Sequence, residues 1–332
     1  MHSPYTRTLS YVLAAGALVG LTALAFAVGR YPVSISELFS VLFGQQVSPN
    51  VETVVLQVRG PRVLAALIVG AALAAAGTAY QGMFRNPLVS PDILGVSTGA
   101  ALGAVLGIFL SFGVFFIQIF AFAGGLAAVG LVYFIGSRLR GHDPLLALVL
   151  TGVVIGTLLG SAIALLKYLA DPYNQLPAIT YWLLGSLAAI TPRELGTAAP
   201  LALLGLAPML LLRWRMNLLA LPDDEARSLG LDTQRTRAIV IAAATLATSA
   251  CVAVSGIVGW VGLIVPHMAR LVVGPEFSRL LPLSAVMGAA FMLAIDTAAR
   301  VVLALELPPG ILTAVLGTPL FLVLLARTRR DF

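Results

Sequence analysis

Long apolar stretches alternate with short polar ones along the whole chain. Ten are read as membrane spans, since about 20 apolar residues in a helix cross the hydrocarbon core. They cover about 10–29, 61–81, 93–111, 114–137, 145–167, 194–212, 238–258, 260–273, 281–303 and 310–327. Two stretches sit less easily in this pattern. Residues 177–190, PAITYWLLGSLAAI, are apolar but too few to span. Tyr181 and Trp182 suit an interfacial position, so the segment is expected to lie along the outer surface or dip in. The run from 238 to 273 is interrupted by Gly256, Gly259, Gly262 and Pro266, which predicts a broken or kinked hairpin.

Composition turns the pattern into a class. Hydrophobic residues make up 59% of 332 and charged residues only 10%, too little charge for a soluble domain of this length. An all-α polytopic membrane protein follows, one domain from 1 to 332. The first apolar run follows a short basic start with Arg7. It is long for the core of a signal peptide and lacks a good cleavage site, so it is read as the first span. The single cysteine, Cys251, excludes an internal disulfide and reads as a small packing residue.

Charge then sets the orientation. An even number of spans puts both termini on one side. With that side as cytoplasm, only Arg30, Arg59, Arg62, Lys167, Arg193 and Arg300 of the 20 basic residues lie outside, a clear positive-inside bias. Counting 177–190 as a span would move Arg213, Arg215, Arg227, Arg235 and Arg237 outside. The 32 glycines fall mostly within spans. GAALAAAG (70–77), GVSTGAALG (95–103) and GVVIGTLLG (152–160) space small residues for close helix approach, which predicts a compact bundle. Gly77 and Gly256 each precede a proline by ten residues, Pro87 and Pro266, in spans of opposite direction. That echo fits an inverted repeat and also fits chance.

Several chemistries are missing. There is no phosphate-binding loop, and the one lysine, Lys167, has no glycine before it. His2, His142 and His267 are far apart, and no metal-ligand spacing or nucleophile elbow occurs. Intramembrane ionisable residues, the usual mark of ion coupling, are few. Asp296 and Arg300 have the spacing of a helix-face pair, and His267 suits a polar contact at a helix end. Uphill transport by this chain would therefore draw its energy from another subunit.

The charged insert LPDDEARSLGLDTQRTR (221–237) supplies a place for that subunit. Pro222 suits a first turn, Asp223, Asp224 and Glu225 favour a helix N-terminus, and Gly230 is placed to stop the helix. A short cytoplasmic helix follows, either a solvated connector or a docking element for a motor.

Together these residues resemble the FecCD-type permeases of type II ATP-binding-cassette (ABC) importers, which include vitamin B12, ferric-siderophore and haem permeases. The resemblance rests on VRGPRVLAALIVGAALAAAGTAYQGMFRNPLVSPDILGVSTGA (58–100), WLLGSL (182–187), ARSLGL (226–231), GWVGLIVPHMAR (259–270), LLPLSAVMGAAFMLAIDTAAR (280–300) and ELPPGILTAVLGTPLFLVLL (306–325), in family order. It implies a homodimer with ten spans per copy and both termini inside. It implies two ATPase subunits, which hold the ATP and Mg, and a periplasmic or tethered binding protein; this chain would bind no cofactor and be a transport subunit, not an enzyme. By similarity, Asp223, Asp224, Glu225, Arg227 and Gly230 form the ATPase-coupling element. Arg59, Arg62 and Arg300 match arginines that meet carboxylates on the binding protein, a pairing suited to bidentate guanidinium contacts. Spans five and ten would line the path, with a hydrophobic cytoplasmic gate at Leu145 and Leu146 in the 141–147 turn.

Cargo is the least legible feature. A metal chelate (iron-siderophore, haem or cobalamin) ranks first and molybdate or tungstate second, the latter because DPYNQLPAITYWLLGSL (171–187) resembles a subgroup with oxyanion importers. An ion-coupled secondary transporter and a membrane scaffold are the readings from other classes.

Overall fold

A computed structural model describes residues 4–29, 31–139, 143–303 and 305–328, with side chains between 11 and 323. Among the described residues every regular element is a helix. In order they are α1 (Pro4–Ala27), α2 (Ile35–Leu42), α3 (Pro49–Thr53), α4 (Gly60–Met83), α5 (Val96–Phe109), α6 (Val114–Gly136), α7 (Pro144–Leu169), α8 (Gln175–Leu183), α9 (Pro192–Leu211), α10 (Arg213–Leu219), α11 (Asp223–Ser228), α12 (Thr233–Ser255), α13 (Val261–Val273), α14 (Phe277–Val301) and α15 (Pro309–Thr328).

Ten of these, α1, α4–α7, α9 and α12–α15, coincide with the ten expected spans. The stretch Pro49–Met83 and helices α6, α7, α9, α12 and α14 are long and apolar enough to cross a membrane, while the described apolar parts of α1, α5, α13 and α15 are shorter. With 14 and 13 residues, α5 and α13 reach only about 20 Å of a core about 30 Å thick. Non-helical backbone completes both crossings. Residues 84–95, ending in a tight 3-10 turn at Pro91–Leu94, lead into α5, and residues 256–260 lead into α13.

The hairpin between α12 and α13 is broken as expected. Gly256 (φ +65°) ends α12, and Trp260 enters α13 at φ +71°, a conformation rare for an aromatic residue. Protein groups satisfy the freed backbone, the condition for irregular chain at membrane depth. Ser186 N donates to Ser255 O (2.8 Å), and Gln81 Nε2 donates to Leu263 O (3.1 Å). Residues 177–190 do not form a span. The short helix α8 buries Ile179 beside Val105 and Ile108 of α5, and the chain then dips until Gly185 packs on the Ile257 carbonyl.

Helix α4 is the axis of the bundle, buried against α14, α12, α13 and α9. Two of its glycines explain the fit. A Cβ on Gly70 would lie 2.1 Å from Gly288 O, and one on Gly77 would lie 1.8 Å from Gly262 O, so only glycine permits these crossings. The GVVIGTLLG motif of α7 behaves otherwise. Gly152 packs on Ile93 O, but Gly156 and Gly160 meet nothing within 4 Å. The residue echo between the two broken hairpins does not mark equivalent places. Gly77 lies inside α4, whereas Gly256 caps α12, and Pro87 lies in a connection, whereas Pro266 lies inside α13. What the hairpins share is a long helix, a break and a short helix.

Candidate functional site

On the cytoplasmic side by the charge rule, Pro222 caps α11 and its first turn carries Asp223, Asp224 and Glu225. Carboxylates there complement the free N–H groups and the positive end of the helix dipole. Gly230, at φ +84°, reverses the chain. Buried Leu219, Ala226 and Leu231 seat the helix on α10. The five residues of the expected coupling element then divide. Asp224, Glu225, Arg227 and Gly230 are exposed. Asp223 turns inward and accepts two hydrogen bonds from Arg237 of α12, Nη1 at 2.7 Å and Nη2 at 2.5 Å. Arg85, from the α4–α5 connection, reaches the same carboxylate at 3.3 Å. The Arg237 hydrogen bonds hold the Asp223 carboxyl below the usual carboxylate range, against a smaller opposing effect of partial burial. Asp223 thus ties α11 to α12 and to the turn leading into α5.

At the opposite end, Arg59, Arg62 and Arg300 come together, but not as open arginines. They are 4%, 6% and 8% exposed. Arg59 ends a π-helical turn, Val54–Arg59, that runs directly into α4. Pro61 has no N–H for the carbonyl of Gln57, and the wider turn removes the need for one. The Arg59 guanidinium donates to the carbonyls of Phe26, Ala27 and Tyr31 and so caps the end of α1. Arg300 adds a bond to Ala25 O at 3.2 Å. Arg62 Nε binds both oxygens of fully buried Asp296, at 2.9 and 3.1 Å, and its Nη1 lies 3.1 Å from Glu306. The Asp296–Arg300 pair expected from the i,i+4 spacing is present at 3.3 Å, off the hydrogen-bond direction. Arg62 and Arg300 face the two carboxylates while carbonyls hold Arg59, and half-buried Glu306 is the part of the cluster nearest solvent. Sequence reasoning passed over Glu306, although it is the one charged residue between the ninth and tenth spans.

The expected gate divides too. Residues 141–142 of the 141–147 turn lie outside the described residues. Asp143 caps α7 by accepting from Leu145 N and Leu146 N. Leu145 packs against the main core, and only Leu146 joins the exposed face formed with Leu150, Val153 and Val154. The structure also brings forward Asp92, hidden in the sequence at the edge of the third span. It lies on the Pro91–Leu94 turn, held by Ser90 and Ser97, beside a small cavity that Thr248 and Trp260 share. The two serine hydroxyls engage both of its carboxylate oxygens, and the turn packs against α7 at Gly152, two turns inside that helix. An acidic residue between a proline and an apolar run was the signal for it.

Comparison with known proteins places these features in a family. The family model described as the FecCD transport family matches residues 17–327. The chain is 38% identical to the molybdate import system permease protein MolB of Haemophilus influenzae, over 94% of each chain. It is 42% identical to the cobalamin import system permease protein BtuC of Halobacterium salinarum, over 84% of this chain and 75% of the relative. Among solved structures it resembles a metal-chelate-type ABC transporter in an inward-facing conformation, at 36% identity and TM-score 0.88, over 96% of this chain and 99% of the other.

Proposed function

The chain belongs to the FecCD transport family and is a membrane-embedded ABC importer permease, and we propose that its cargo is a metal chelate such as an iron-siderophore, haem or cobalamin. It works as a homodimer with two separate ATPase subunits inside and a binding protein outside. The observation that carries this mechanism is α11: a short helix seated by Ala226 that leaves Asp224 and Glu225 exposed to a partner, with Arg227 exposed beside them and held by a 3.4 Å bond from its Nε to Thr233. ATPase closure moves α11, and the Asp223 bridge passes that motion to α12 and, through Arg85, to the turn that holds Asp92.

Outside, Arg62 serves the binding protein by exchanging Glu306 for a partner carboxylate, which keeps the buried charge paired throughout. The chelate reading is supported by the likeness to a metal-chelate-type transporter. Molybdate is the second reading, favoured by a relative that matches nearly end to end.

The test is reconstitution with the cognate ATPase and binding protein. Glu225→Ala with Arg227→Ala should leave the unfolding midpoint unchanged and reduce ATP-driven uptake at least roughly tenfold, as for loss of two partly buried interface charges. Uptake that follows an ion gradient without ATP would replace this mechanism with ion coupling. Competition between cobalamin, haem, ferric siderophore and molybdate for the binding protein ranks the cargo.

A further inference from the structure

Just beyond the cytoplasmic end of α9, the start of α12 parts from α10 around a cavity of about 470 Å³. The close approach of α9 and α12 lies deeper in the membrane, at Gly205, where an added Cβ would sit 2.5 Å from Ala243 O. Below that point α9 ends at Leu211 and α10 begins at Arg213, while α12 runs on to its start at Thr233. The fork between them is walled by Leu212, Leu218, Leu229 and Ile239 and edged by Arg215 and Arg235. Both arginines are exposed, and neither has an ion-pair partner among the described residues. Asp232 also lines the cavity, with one oxygen committed to capping α12 through Arg235 N at 2.9 Å. The cavity therefore keeps a net positive charge.

Its depth is set by α9. Twenty residues give a helix of about 30 Å, the thickness of the hydrocarbon core, so Leu211 marks the boundary with the headgroups. Leu211 and Trp214 are 79% and 63% exposed there, and Trp concentrates at this level. From Arg235 the exposed stripe of α12 climbs through Ile239 to Ala242, from basic to apolar within two turns. A soluble anion has no use for that apolar wall, whereas a phospholipid matches both ends.

We infer that this fork binds an anionic phospholipid of the inner leaflet, its phosphate between Arg215 and Arg235 and an acyl chain along Leu212 and Ile239. The site depends on the chain spanning the membrane and not on the identity of its cargo, and it adjoins the coupling element at Gly230. Leu229 and Gly230 wall the same cavity, so the lipid also braces the turn that follows α11.

Native mass spectrometry of the purified chain with equal phosphatidylglycerol and phosphatidylcholine tests it. Wild type should retain phosphatidylglycerol roughly tenfold over phosphatidylcholine, as two nearby arginines imply. Arg215→Gln with Arg235→Gln should abolish the preference, each single variant should weaken it, and Arg138→Gln, elsewhere on the same side, should leave it intact. Millimolar inorganic phosphate should not compete. The singles keep the test valid should the double variant fold poorly. Equal retention of the two lipids by wild type, an undiminished preference in the variants, or full competition by phosphate would each overturn the site. Loss of ATPase retention in the double variant with the lipid preference unchanged would assign the surface to the protein partner instead.

Discussion

Asp296 is fully buried and carries the outer cluster, since both Arg62 and Arg300 depend on it. Replacing it by Asn keeps the volume and removes the charge, leaving two buried guanidinium groups with only Glu306 near one of them. Breaking a buried pair in this way costs about 3–5 kcal/mol. Asp296→Asn should therefore lower the detergent unfolding midpoint strongly, whereas Glu306→Gln, at the half-buried edge, should cost far less. Comparable midpoints for the two variants would mean that Asp296 does not organise the cluster. This residue scale was the least legible in the sequence. The Asp296–Arg300 spacing was readable because a helix sets it locally. Arg62 joins the same carboxylate from 234 positions away, and Arg85 joins Asp223 from 138 away, distances that only the packed fold closes.

At the scale of elements, local rules reached much further. The ten spans follow from apolar length, the break before α13 from its glycines, and the start and stop of α11 from Pro222 and Gly230. Smaller outer pieces were overlooked beside them, although Ser34 and Glu37 form a full capping box that starts α2. What the sequence did not say about α11 is how it is tethered, and that tether has a pH signature. The Asp223 carboxyl is held below its ordinary value by Arg237. Its ion pair therefore contributes fully above the unfolded carboxyl pKa of about 3.9 and is lost as pH falls through the lowered folded value. Hydrogen exchange across residues 223–229 should be flat from neutral pH to about 5, once corrected for intrinsic rates, with protection lost only below about 4. Asp223→Asn should show weaker protection without that transition. A midpoint near pH 6 would belong to another group and would remove Asp223 as the tether.

For the whole molecule, the unanswered surface is α7. Gly156 and Gly160 face open space, Thr157 and Ser161 are exposed beside them, and each hydroxyl returns its proton to the carbonyl four residues back. Gly70 and Gly77 accept a neighbouring backbone, whereas Gly156 and Gly160, one turn apart and flanked by exposed hydroxyls, do not, and such a small-residue stripe fits the approach of a second copy. Lipid alone would be served as well by the bulky residues that α9 exposes, Leu203 and Leu204. The homodimer can be tested cleanly because Cys251 is the one thiol and is buried. In a Cys251→Ala background, cysteines placed singly at Gly156, Thr157, Gly160 and Ser161 should give an oxidised dimer band where the position lies near the two-fold axis. A disulfide needs Cα atoms within about 7 Å, and a residue meets its own copy only near that axis. Cysteines at Leu203 and Leu204 should stay monomeric. A dimer band from α9 with none from α7 would move the partner, and with it the path between the two copies, to the other side of the bundle.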